Sequence, residues 1–247
     1  MPETWIFVRW LNDLLMGVEV KAFQSIGIVP AEAAHQAVKV NEALAPELLV
    51  AAGLIAFFVL VRLTLAVEKP RPAQQIAEII HEFTGSQADQ IIGHGYERFQ
   101  AFVTCVLLFV VVNNLLGLVP GLETPTGQVW VPLGIALLTF AYYNFYGIRE
   151  KGFIGYFKEF AGPLWWIGLP LFLIEVISHL ARIMSLTVRL YANMLASDLV
   201  TLVFFSLVPV VVPSIFLGLH FAVSIIQAYI FMVLSMIYLS MAVSHEH

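Results

Sequence analysis

Between Pro170 and Ser206 the chain reads PLFLIEVISHLARIMSLTVRLYANMLASDLVTLVFFS, which is apolar enough for a bilayer yet contains Glu175, His179, Arg182, Arg189 and Asp198. A charge at the centre of a membrane helix costs about 2.5–3.5 kcal/mol or more, so such residues need a partner or water and mark function by default. Arginine stays protonated in proteins. Arg182 and Arg189 therefore cannot relay protons by titrating; each must fix a field or pair with an anion. At about 100° per residue, Glu175, Ser178, His179, Arg182, Ser185, Arg189, Asn193 and Ser197 fall in a strip roughly 120° wide. Asp198, nine positions beyond Arg189, points about 180° away from it. Glu175 and Arg182 share a face with His179 between them, which predicts a structural ion pair. Arg189 has no carboxylate three or four residues away on either side, so its partner is expected on another helix or another chain. In the next apolar stretch, Ser214 to Val243, the residues His220, Ser224, Gln227 and Tyr238 share a second polar face. Carboxylate and imidazole both exchange protons. A cleft lined by Asp198, His220 and Gln227 would pass protons part-way across a bilayer.

The elements that must position these groups are membrane helices. Of the 247 residues 60% are hydrophobic and 12% charged, against about 45–50% and 25% in a soluble domain. The expected fold is all-α: about five membrane helices, 48–67, 101–119, 129–147, 164–206 and 208–243, in one helical membrane domain spanning 47–247. Residues 1–46, with Trp5, Ile6, Val8, Trp10, Leu11, Leu14 and Leu15, predict an N-terminal interfacial, extracytoplasmic segment. Glu3 and Asp13 interrupt any signal-peptide pattern there. The last two spans exceed the ~30 Å hydrocarbon core, so they must tilt strongly or break. Pro70 and Pro72 end the first span, and Ile76, Ile79, Ile80 and Phe83 recur at the spacing of a short surface helix. Asn113 and Asn114 predict a helix–helix contact, the stretch from Pro120 to Gly127 a tight hairpin, and Tyr142, Tyr143 and Tyr146 an interfacial belt.

The net charge of −5 argues against nucleic acid as a partner. Cys105 is the single cysteine, so no internal disulfide forms. His81 and His94 belong to no metal set, the terminal His245-Glu246-His247 reads as a frayed tail, and neither a metal nor a cofactor is expected. With five crossings, Lys69, Arg71, Arg98, Arg149, Lys151 and Lys158 fall on one side, which predicts a cytoplasmic C terminus and an external N terminus.

RLYANMLASDL, from Arg189 to Leu199, resembles the signature of the a-subunit family of F-type ATP synthases: an arginine, an Asn four residues on and a carboxylate nine residues on. Arg189, Asn193 and Asp198 fit it, with Asp where many members have Glu. The resemblance extends upstream to Glu175, Ser178 and Ser185. Downstream it reaches HFAVSIIQAYIFMVLSMIYL, where His220 and Gln227 fall on the family's His and Gln. NLLGLVP from Asn114 and the Pro70, Gln74, Glu78 spacing match more weakly, and coverage is about residues 48–243.

This resemblance implies a static, non-catalytic subunit of a rotary motor. It would pack against a ring of c subunits bearing membrane carboxylates and against b-type peripheral stalk subunits. It further implies two offset half-channels separated by Arg189. Asp198, His220 and Asn193 would line the outer one, Gln227 would sit near Arg189, and Glu175 would lie toward the cytoplasmic exit. A bacterial plasma membrane is the implied location, with an organelle's energy-transducing membrane as the alternative. No Walker loop is present, so nucleotide chemistry would belong to a partner. The alternative function is a stand-alone proton or ion secondary transporter. Such folds often carry internal repeats, and none is evident. A hydrolase would need a GxSxG or HExxH constellation, which the sequence lacks.

Overall fold

The computed structural model describes residues 44–66, 70–119, 124–152, 155–156, 168–207 and 211–243. The expectations for residues 1–43, Lys69, residues 120–123 of the hairpin, Lys158 and the terminal 245–247 lie outside these. The described residues form six α-helices and no strand. They are α1 (Leu44–Leu63), α2 (Pro72–Ile92), α3 (Glu97–Leu116), α4 (Trp130–Lys151), α5 (Gly168–Leu207) and α6 (Val211–Val243), with a 3-10 turn at Pro125–Gly127. Five of them, all but α2, are long and apolar enough to cross a membrane. The chain divides into two compact units, Met1–Ile55 and Ala56–His247, and the polar sites lie in the second.

Helix boundaries depart from the hydropathy pattern for local reasons. The first span was expected to reach residue 67, but α1 ends at Leu63. The Gln74 side chain accepts from the Ala66 amide at 3.0 Å and donates to the Ala66 carbonyl at 3.1 Å. A side chain of α2 thereby takes the hydrogen-bonding role that another helical turn would have filled. The predicted short surface helix is instead the 21-residue α2. Pro72 sits in its first turn, where the missing N–H costs nothing, and Gly93 ends it at φ 77°, in the left-handed region that suits glycine. Between α2 and α3 the seam is close. Thr84 and Thr104 hydroxyls meet at 2.9 Å, and a Cβ at Gly85 would press on Gln100 Nε2. Gln100 Nε2 donates to the His81 carbonyl at 2.6 Å, so His81, though exposed, is tied to α3, whereas His94 is simply exposed.

The core lies among α3, α4, α5 and α6. Phe99, Val103 and Val110 meet Ala136 and Tyr143, Leu186, Leu190 and Met194, and Met232, Met236 and Leu239. Unbranched methionines fill irregular gaps between helices that cross without matched ridges. Both long helices are unbroken: α5 has 40 residues and α6 has 33, about 60 and 50 Å at 1.5 Å per residue. With breakage excluded, crossing a core of about 30 Å requires tilt.

One expectation is corrected at Tyr143, which is 2% exposed and turns into the bundle because its buried hydroxyl has found a partner, described next. Tyr142 and Tyr146 are half-exposed; Tyr142 stacks on Phe102 with ring centroids 3.7 Å apart, and Tyr146 meets Phe99 edge-on at 4.9 Å.

Candidate functional site

The buried face of α5 explains how its charges are sorted. Leu186, Thr187, Leu190 and Met194 are buried and mark the sector turned to the bundle. Asp198 lies at one edge of that sector. Ser185, Arg189 and Asn193 lie beyond the other, with Ser185 and Asn193 exposed and Arg189 half-buried. The single polar strip of the sequence is thus divided. His179 and Ser197 turn to neighbouring helices, while Ser185, Arg189 and Asn193 remain on the outside. Arg189 Nη2 donates to Ser185 Oγ one turn earlier, at 3.3 Å. Among the described residues no carboxylate forms an ion pair with it.

The first cluster gathers where α5, α6, the end of α3 and the 3-10 turn converge. His220 is 1% exposed. Its Nε2 lies 3.2 Å from the Asn114 carbonyl, an acceptor only, which places a proton on Nε2. In the neutral ring Nδ1 then accepts from Ser197 Oγ, at 2.8 Å. The same Nδ1 is 3.5 Å from Asp198 Oδ1. A proton added at Nδ1 would therefore face a carboxylate. Asp198 is itself held: Thr124 Oγ1 donates to its Oδ1 at 2.9 Å. Thr126 donates to Asn114 Oδ1 at 2.6 Å, and Asn114 Nδ2 donates to the Ser224 carbonyl at 3.3 Å. Ser224 Oγ is buried without a hydrogen-bond partner among the described residues, leaving the cluster a hydroxyl with spare capacity. Two glycines make room. A Cβ at Gly117 would collide with the Thr124 hydroxyl, and one at Gly127 would lie 3.3 Å from Asp198 Oδ2. The side chain of Asp198 remains 33% exposed, so this cluster is buried at the imidazole and open at the carboxylate.

A second cluster lies nearer the start of α5. Glu175 Oε1 is 3.5 Å from His179 Nε2 and 3.8 Å from Arg182 Nη2. The predicted Glu175–Arg182 pair is present, with His179 in it. Tyr143 OH of α4 bonds His179 Nδ1 at 2.8 Å. The Arg182 guanidinium stands 5.3 Å over the Tyr238 ring of α6, a cation–π arrangement that steadies a partly desolvated charge. Ser178 is half-buried on the same helix, and Gln227 is buried on α6.

Sequence reasoning missed Thr124, Thr126 and Tyr143. The threonines sit in GLETPTG, where hydroxyls read as ordinary turn chemistry. Their only signal was proximity to a span ending in two asparagines. No group of three or more His, Cys, Asp or Glu side chains capable of holding a metal occurs among the described residues.

Fold and site together define a multi-pass membrane protein with two carboxylate–imidazole pairs held between its helices and Arg189 half-buried beyond the bundle-facing sector of α5. The model of the ATP synthase A chain family matches residues 47–240. ATP synthase subunit a of Koribacter versatilis (strain Ellin345) is 47% identical over 247 residues, covering all of both chains. That of Solibacter usitatus (strain Ellin6076) is 42% identical over 201 residues, 81% of this chain and 86% of the relative. The chain belongs to the ATP synthase A chain family.

Proposed function

We propose that this chain is the proton-translocating, non-catalytic stator subunit of the membrane sector of a rotary F-type ATP synthase. It offers two offset aqueous half-channels, and Arg189 keeps them apart at the surface facing a ring of c subunits. The Asp198–His220 cluster lines the outer half-channel, with Asn193 on the exposed side of the same helix. Glu175 lines the inner one, with Ser178 and Ser185 on the helix between, and Gln227 supports Arg189 from α6. Partners are the c ring with its membrane carboxylates and b-type stalk subunits. The bacterial origin of the relatives supports a plasma-membrane location, and the basic residues support an external N terminus and cytoplasmic C terminus.

One observation carries this reading: Arg189 lies half-buried beyond the bundle-facing sector of α5, and among the described residues Ser185 is its only hydrogen-bond partner. Within a bundle an arginine of a membrane helix would pair with a carboxylate of its own chain. A permanent cation left outward attracts an ionised ring carboxylate and repels the proton from a neutral one. That blocks a direct leak and obliges protons to ride the ring. Each proton crossing releases about 2.3 kcal/mol per 100 mV, so several crossings must be summed per ATP. A stand-alone transporter would conduct without a ring. The discriminating experiment reconstitutes the purified chain with and without co-purified c ring and follows proton flux. Flux that needs the ring supports the rotary reading; equal flux from the chain alone overturns it.

A further inference from the structure

The second cluster contains a group that the two-half-channel reading has not used. His179 is buried, yet both of its ring nitrogens are engaged by groups of different accessibility. Nε2 faces Glu175, whose side chain is 37% exposed. Nδ1 faces the hydroxyl of Tyr143, which lies in the core between α4, α5 and α6. The histidine therefore has a wet side and a dry side.

We propose that His179 is a proton-holding group of the inner half-channel, loading and unloading one proton at Nε2 in exchange with Glu175 and the water that Glu175 meets, while Tyr143 is the positioning residue that fixes the ring from its dry side. The inference rests on the two-half-channel reading for its direction of flow. In the unloaded state the ring is neutral, with its single proton on Nδ1 donated to the Tyr143 oxygen and the Nε2 lone pair accepting from the protonated carboxyl of Glu175. In the loaded state one proton has been added at Nε2, the ring carries one positive charge, and Nε2–H points at the Glu175 carboxylate. The dry side is unchanged between the states, so loading requires no repacking of α4 against α5. Among the described residues, the charged and titratable groups around the ring come from three helices. On α5 Glu175 lies 3.5 Å from Nε2, with Arg182 one turn on. From α4 there is Tyr143. From α6 there is Tyr238, whose ring centroid lies 6.0 Å from that of Tyr143 and which holds Arg182 by its face. Arg182 thus stands beside both members of the pair, 3.8 Å from the Glu175 carboxylate and one turn from His179.

The test uses native membrane vesicles containing the whole complex, with the catalytic head stripped, and measures proton conduction against pH on the Glu175 side. The wild-type profile is expected to contain a step due to His179. Tyr143→Phe keeps the ring and the packing but removes the acceptor for Nδ1–H. A hydrogen bond from a cation is stronger than one from the neutral ring. The loaded form therefore loses more, and the step should move to lower pH by about one unit. His179→Gln should remove the step. Profiles of both variants that superimpose on the wild type after scaling, even at a lower overall rate, would show a purely structural role and overturn the proposal. The Tyr143→Phe result decides by itself should His179→Gln reduce assembly. A failure of the underlying reading appears elsewhere: undiminished conduction in Asp198→Ala would sink the half-channels whatever His179 does.

Discussion

The two clusters of α5 use the same chemical pair, a carboxylate beside an imidazole 3.5 Å away, and differ in everything around it. Around Asp198 and His220 the neighbours are hydroxyls, an amide and main-chain carbonyls, all neutral, contributed by α3, the 3-10 turn and α6. Around Glu175 and His179 there is a fixed cation, Arg182, and a phenol. The first pair is thus fixed by neutral hydrogen bonds, the second by a cation 3.8 Å from its carboxylate. Under the proposed rotary function, the first arrangement would serve uptake from one side and the second discharge to the other. Arg189 lies along the helix between the two and belongs to neither.

The largest break in this comparison should come from Arg189→Ala. Coupled ATP synthesis is expected to fall to background while the complex still assembles, checked by co-purification of the ring together with synthesis assays. ATP-driven pumping retained in that variant's vesicles would count against its role as separator. Asp198→Ala comes next. Losing a positioned proton-exchanging group typically costs on the order of a hundred-fold or more, and passive flux through stripped vesicles should drop accordingly with little change in assembly. Unchanged flux would remove Asp198 from the pathway.

Thr124→Val is a smaller and sharper test. It keeps the shape but deletes the donor to Asp198, a charge-assisted bond of about 1.5 kcal/mol or less at a carboxylate one-third exposed. A drop of roughly five-fold in flux is expected, with Thr124→Ser close to wild type. Equal rates for Val and Ser variants would mean that the hydroxyl does not position the carboxylate. The smallest effect belongs to Glu175→Asp, which keeps the exchanging carboxylate and changes only its reach toward Arg182, 3.8 Å away in the wild type. Partly exposed pairs of this kind contribute about 0–1 kcal/mol, so about a two-fold loss of conduction is expected. A loss as large as that of Asp198→Ala would show that the reach of this carboxylate, and not its presence alone, sets the rate at the second cluster.

The membrane helices and the polar strip of α5 were legible because both follow from periodicities that no tertiary contact alters: span length from the bilayer, angular position from the helix. The 180° separation of Arg189 and Asp198 belongs to the same class. What could not be read was which side of the strip would be enclosed. That depends on where Leu186, Leu190 and Met194 find partners on α4 and α6, information held by other helices. Tyr143 was assigned to an interface because tyrosines near a span end commonly lie there. Its burial depends on His179, 36 residues later. Thr124 was invisible for a similar reason: its carboxylate partner is 74 residues away. Helix ends shifted where a long-range side chain intervened, as Gln74 does after α1.

The outward arginine also bears on how such a chain is made. Until a neighbour with acidic groups arrives, a guanidinium on the outer surface of a membrane bundle faces lipid, at a cost of about 2.5–3.5 kcal/mol or more. That penalty is comparable with a sizeable share of a small protein's total stability. Under the proposed function the newly inserted subunit is an incomplete object until a companion's carboxylate neutralises Arg189, so the charge that would keep the half-channels apart would also make an orphaned copy costly to hold in the membrane.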